Sequence, residues 1–244
     1  MTAIPTYLIN EGLTSREGCR IFEGVCSVLR DTGTETLSVK GLDISLEPIQ
    51  TFFKSVDSAW YIPKTVEAMP KVVDSLEAFK GQLHMFFGAH YAHSKKDDGT
   101  AMKVATSYLK LVRDVFKLIA SAAASLKFLG TLGVAYLAPR VKVLNLTKNA
   151  FTVYTAVHDI TELSLKTIDD VCYKSDKERR GRIFFNLMGI YGLLCSVGLN
   201  GLGFLQATVG SGVKVPMPAF GWNAFKLGGS VSALVANALK ADDK

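Results

Sequence analysis

Residues 183–213 run thirty-one positions without a charged side chain, directly after the basic residues Lys177, Arg179, Arg180 and Arg182. A helix needs about 20 apolar residues to cross a bilayer, so the stretch is long enough to do so. It is also rich in glycine, with eight from Gly181 to Gly212. Each costs a solvated helix about 1 kcal/mol relative to alanine, so a helix here has to be covered by lipid or by protein. Gly189, Gly192, Ser196, Asn200, Gly203, Ala207 and Gly210 recur at steps of three and four and draw a seam of small residues down one side. Small seams let helix backbones approach closely, which is how helices associate in lipid. The segment GLGFLQ lacks the third glycine of a dinucleotide fingerprint and follows no strand pattern, so a phosphate-cradling loop is set aside.

The charge of the chain is distributed to match. Residues 1–100 carry ten Lys/Arg against thirteen Asp/Glu, a balance of −3, and residues 101–244 carry eighteen against nine, a balance of +9. The basic half is the apolar half. Its cations flank apolar segments and no Arg-rich groove or aromatic stacking motif accompanies them, which fits anionic lipid headgroups and makes nucleic acid an unlikely partner. The four cysteines show no CxxC pair and no disulfide spacing, so reduced thiols are expected. The first residues lack a basic region followed by an apolar one, and a cleaved secretory signal is not expected.

The periodicity predicts an all-α chain, a helical bundle with long helices in its C-terminal half, two or three of them strongly apolar and suited to a membrane. From Ser15 to Arg30, Cys19, Phe22, Cys26 and Leu29 mark one face of a short amphipathic helix. Cys19 and Cys26 stand two turns apart on that face, too far to bridge each other, and read as small core residues. Residues 31–44 read as a loop with a short strand. A helix resumes at Ser45 with Pro48 in its first turn and ends at Pro63, and another begins near Pro70. The polar run SKKDDGT separates a small helical N-terminal region, 1–94, from an apolar, basic region, 101–244.

Beyond it a long helical pattern runs from about Ala101 to Leu137. Its second part, Leu118 to Pro139, is a marginal span. Lys127 in its middle costs about 2.5 to 3.5 kcal/mol on the insertion scale, and its eight Leu, Ile, Val and Phe residues return about 0.3 to 0.6 kcal/mol each. Pro139 marks a corner. From Arg140 to Tyr173 two adjoining apolar stripes predict a helix buried on both sides. The small seam of 183–213 would find its partner in Leu118–Pro139, whose Ala122, Ala123, Gly130 and Gly133 are also small. After a KVPMP turn, Phe220 to Leu239 reads as a last apolar helix with Trp222 near its start.

Sites for chemistry are sparse. His84, His90 and His93, followed by Asp97 and Asp98, are the one group with an inventory for metal, but the ligands are few and loosely spaced, and capping or exposed histidines are the expectation. His158 beside Asp159 lacks a nucleophile or a second acid. The sequon at Asn145 is read as chance. No metal, cofactor or catalytic constellation is therefore expected, and no enzymatic role. The expectation is a helical membrane-associated protein that anchors, organises membrane or recruits partners. Its partners would be anionic lipid headgroups and a protein partner or a second copy. The positive-inside rule puts residues 140–182 in the cytosol. The alternative is a soluble, cytoplasmic all-α interaction module that shelters a lipid or other apolar ligand between its helices.

Overall fold

The computed structural model describes residues 15–39, 42–91, 98–173, 176–210 and 217–242. The fold is all-α, a bundle of long helices with one two-stranded hairpin. In chain order the elements are α1 (Arg16–Asp31), β1 (Thr36–Val39), β2 (Leu42–Ser45), α2 (Leu46–Ala59), α3 (Tyr61–Tyr91), α4 (Asp98–Thr131), α5 (Val141–Tyr173), α6 (Asp176–Val209) and α7 (Ala219–Asp242), with a 3-10 turn at Ala138–Arg140 before α5.

Helix ends follow from local chemistry. Ser15 caps α1, its hydroxyl oxygen accepting the Gly18 N–H at 3.1 Å. The helix closes on Gly33, whose φ of +86° only glycine adopts without strain. There the Gly33 N–H bonds the Arg30 carbonyl and the Thr34 N–H bonds the Leu29 carbonyl, both at 3.0 Å, which satisfies two carbonyls the helix leaves over. The same arrangement ends α4, with Gly133 at φ +91° and the Gly133 and Val134 N–H groups bonding the Gly130 and Leu129 carbonyls. The hairpin pairs Leu37 with Ile44 and delivers the chain to Leu46, the fully buried first residue of α2.

The chain forms two compact units, residues 15–60 with 156–242, and Tyr61–Thr155. In the first, α1 packs on α2 and on α7, and α7 packs on α6. Phe22 of α1 stacks on Phe53 of α2 with centroids 4.9 Å apart, and Arg16 and Arg20 both donate to Asp57 Oδ1, at 2.7 and 2.9 Å. Asn223 of α7 donates to Asp31 at 2.8 Å. In the second unit α3 pairs with α4. Between them Ser75 donates to Asp114, both buried, and the Thr65 and Ser125 hydroxyls meet at 3.0 Å. Phe116 packs on Phe151 and Tyr154, each with centroids 4.7 Å away.

Several boundaries differ from the sequence expectation. Pro63 does not end a helix; the break is at Trp60, and Pro63 occupies the first turn of α3, where its missing N–H had no helical partner. Pro70 lies inside α3 instead of near its start. The helix expected to reach Leu137 stops at Thr131, so Leu118–Pro139 is not one helix and cannot span a bilayer as one. Part of that stretch, Ala120, Ala123 and Ala124, is instead core of the second unit, and Lys127 donates to Asn145 at 2.8 Å. Along α5 the two expected contact sides are incomplete, since Val143, Val157, Leu165 and Ile168 are exposed. The SKKDDGT run falls mostly outside the described residues, and the helices on either side of it belong to the same unit.

Candidate functional site

What is buried among the described residues is small. Apart from Leu46 and Leu234, the buried apolar residues are alanines and cysteines. Water favours the reverse, large aliphatic and aromatic side chains inside. Here many of them look outward, on α3 and on α6 above all.

The stretch Gly181–Val209 of α6 is long and apolar enough to cross a membrane, the one such helix among the described residues, and only 6% of its most apolar part is buried. It is therefore not a fully buried core helix within this fold. Phe184, Leu187, Tyr191, Leu194, Leu205 and Val209 stand 43% to 72% exposed. At 100° per residue they fall within an arc of about 80°. They form two groups on one side, 184–194 and 205–209, parted at Gly198, where an added β-carbon would lie 3.5 Å from the Phe225 ring of α7, and the Tyr191 hydroxyl reaches α7 at Gly228.

The other side of α6 meets α7. A β-carbon on Gly192 would lie 3.3 Å from the Gly229 carbonyl oxygen and 3.4 Å from the Ala233 nitrogen, so the two backbones touch there. A β-carbon on Gly189 would lie 3.2 Å from Leu163 and 3.7 Å from the Ala236 β-carbon. Cys195, 1% exposed, completes the contact against Gly229, where an added β-carbon would come within 2.6 Å of the Cys195 β-carbon. The helix lying on Gly189 and Gly192 is thus α7 and not Leu118–Pro139. Asn200 turns back onto its own helix, donating to the Ser196 carbonyl at 2.8 Å. Gly203 and Ala207 are half-buried, and Gly210 lies just past the helix end with φ +102°.

The basic residues Lys177, Arg179, Arg180 and Arg182 belong to the first two turns of α6 and not to a turn before it. In the first turn Lys177 and Arg179 are offset by Asp176 and Glu178, and Arg180 and Arg182 in the second turn leave an excess of two positive charges. Behind the seam, α7 is backed by charge. Burial raises the carboxyl of Glu23 on α1, and Asp57 adds to the rise, against the opposing pull of Lys226, Lys54 and Arg20. Burial would also raise Asp57, but Arg20 and Arg16 outweigh it and hold that carboxyl below the usual range.

Of the histidines, His84 is exposed on α3, His90 lies in α3, and His93 and Asp97 fall outside the described residues. His158 and Asp159 do have a second acid, which sequence reading missed: Glu162, one turn on along α5. Ligand atoms of the three lie within 4.8 Å of one another, and His158 Nδ1 is buried without a hydrogen bond. Glu162 is held by Lys166 at 2.7 Å. The i, i+4 spacing of His158 and Glu162 is the signal that could have found them.

Comparison of the chain with models of known protein families, with curated proteins and with solved structures finds no match.

Proposed function

We propose that this is a membrane-associated helical protein, held at a bilayer by α6 and serving to anchor, organise membrane or recruit partners there. The observation that carries the reading is that an apolar helix long enough to cross a bilayer leaves two groups of large apolar side chains exposed along one side. Burying them in lipid returns roughly 25 cal/mol for each Å² removed from water. The basic run beside them fits anionic headgroups, as at a cytoplasmic leaflet, and on this reading residues 140–182 face the cytosol. The reading is of a binding protein and not of an enzyme.

Flotation of the purified full chain on a density gradient with vesicles of phosphatidylcholine and phosphatidylserine tests it. The chain should rise with the vesicles, and a chain that stays at the bottom refutes the proposal. A second reading, binding to another protein, draws on α3, where Val66, Met69 and Val73 are exposed at helical spacing. Glu67, Lys71 and Asp74 interleave them, a pattern that suits an amphipathic partner helix better than lipid.

A further inference from the structure

Two orientations of α6 in a bilayer are open to a helix of its composition, and its neighbours separate them. Gly181–Val209 has 29 residues, about 43 Å at 1.5 Å per residue, with Cys195 at its middle. Crossing the bilayer would set Cys195 near the midplane. Cys195 is packed on Gly229 of α7. Lys226 lies one turn before Gly229, and Leu227 lies against α1 at Gly24, where an added β-carbon would come within 3.1 Å of Leu227 Cδ1. Gly24 follows Glu23 directly, and Arg20 is one turn earlier. A bilayer centred on Cys195 would therefore enclose Lys226, Glu23 and Arg20 in hydrocarbon, where ionised groups are rarely found.

Lying in the plane of the membrane demands none of this. The exposed residues centre about 120° around the helix from Gly189, Gly192 and Cys195, and the part of α7 that reaches their side, the Phe225 ring at Gly198, is itself apolar, so this side can enter the headgroup and acyl boundary while the rest of α7 and α1 stay on the water side. The unit then has the two-faced character that α6, apolar all round, lacks by itself. The charge at the start of α6 points to the same occupant. Four basic residues against two acidic ones in its first two turns leave an excess of two positive charges, which is favourable against an anionic surface.

We propose that α6 binds an anionic bilayer surface lying in its plane, through Phe184, Leu187, Tyr191, Leu194, Leu205 and Val209, and does not cross the membrane while α7 and α1 remain packed behind it. This rests on the membrane association proposed above. The test uses the full chain with Cys172→Ser, which removes the exposed thiol and leaves the buried Cys19, Cys26 and Cys195 shielded. Into it Leu187→Cys, Leu194→Cys or Leu205→Cys is introduced singly and labelled with an environment-sensitive fluorophore. Vesicles of phosphatidylcholine and phosphatidylserine carry nitroxide quenchers either near the headgroup or near the chain end. All three labels should brighten on binding and all should be quenched best from the headgroup side. Chain-end quenching strongest at position 194 and graded toward 187 and 205 would mean crossing, and would overturn the in-plane arrangement while leaving membrane association intact. No brightening at any position, together with no flotation, would overturn both. As a second measurement, Arg179→Gln with Arg180→Gln should lower partitioning onto the phosphatidylserine vesicles by roughly 30-fold and leave partitioning onto phosphatidylcholine alone unchanged. Equal loss on both vesicle types would remove the anionic surface as the partner.

Discussion

Gly229→Ala and Gly201→Ala are the same chemical change in two settings, and their difference measures the close approach of α6 and α7. Each replaces a helical glycine and gains about 1 kcal/mol of helix propensity. At Gly201 the new methyl meets nothing within 4 Å. At Gly229 it arrives 2.6 Å from the Cys195 β-carbon and 3.2 Å from its sulfur. Carbon atoms need about 3.5 Å, so the helices must part by nearly an ångström or the side chain must strain, at about 1 to 3 kcal/mol. Gly201→Ala should therefore raise the unfolding temperature, and Gly229→Ala should fall below it by that clash. For a chain of this size 1 kcal/mol moves the midpoint by about 2 to 4 °C, so the two variants should differ by roughly 2 to 12 °C. Thermal unfolding followed by far-ultraviolet circular dichroism reads the difference. Cys195→Gly removes the atom that is struck, so a double-mutant cycle with Gly229→Ala should recover most of the clash. Equal midpoints for Gly229→Ala and Gly201→Ala, or no coupling to Cys195, would refute the backbone contact.

Gly192→Leu places its first added carbon against backbone atoms of Gly229 and Ala233, which cannot turn aside, and should destabilise more than Gly229→Ala, whereas Leu194→Ile on the exposed stripe should stay within about 0.5 kcal/mol in the same assay. Glu23→Gln should stabilise the fold at neutral pH: a raised carboxyl binds its proton more tightly folded than unfolded, so the native acid loses stability as pH rises above about 4.3, and the gain should vanish in denaturant titrations below that pH. Asp57→Asn should cost about 2 to 3 kcal/mol at neutral pH by removing the partner of Arg16 and Arg20. Because the Asp57 carboxyl is depressed, that difference should be lost as pH falls below about 4. Asp114→Ala leaves the Ser75 hydroxyl, 1% exposed, without its acceptor and should cost about 1 to 3 kcal/mol of stability, again read by denaturant titration.

Periodicity alone located α1, α2 and α5 to within a few residues, because a helix that buries one face writes that face at steps of three and four. It failed where backbone chemistry outweighs the pattern. The long repeat through Leu137 continues past Gly133, but a left-handed glycine with two cross-turn bonds ends α4 earlier. Pro70 looks like a beginning and is an interior residue, since one lost hydrogen bond is tolerated in a helix of 31 residues that packs along its length. The second acid beside His158 was missed although Glu162 stands only four residues on, a spacing that a helix turns into adjacency.

For α6 the division is sharpest. Its sequence by itself determines an uncharged helix that water cannot support alone, with a basic margin and glycines that demand a close neighbour, because composition fixes hydration and propensity whatever the surroundings. Residues apolar on every side give periodicity no contrast, so the sequence could not say which side is covered, or by which helix. Tertiary structure decided that: α7 closes on Gly189, Gly192 and Cys195, α1 brings Glu23 and Arg20 up behind it, and the side bearing Leu187 and Leu194 is left open. Coverage is a property of neighbours distant in the chain, and only the packed chain supplies them.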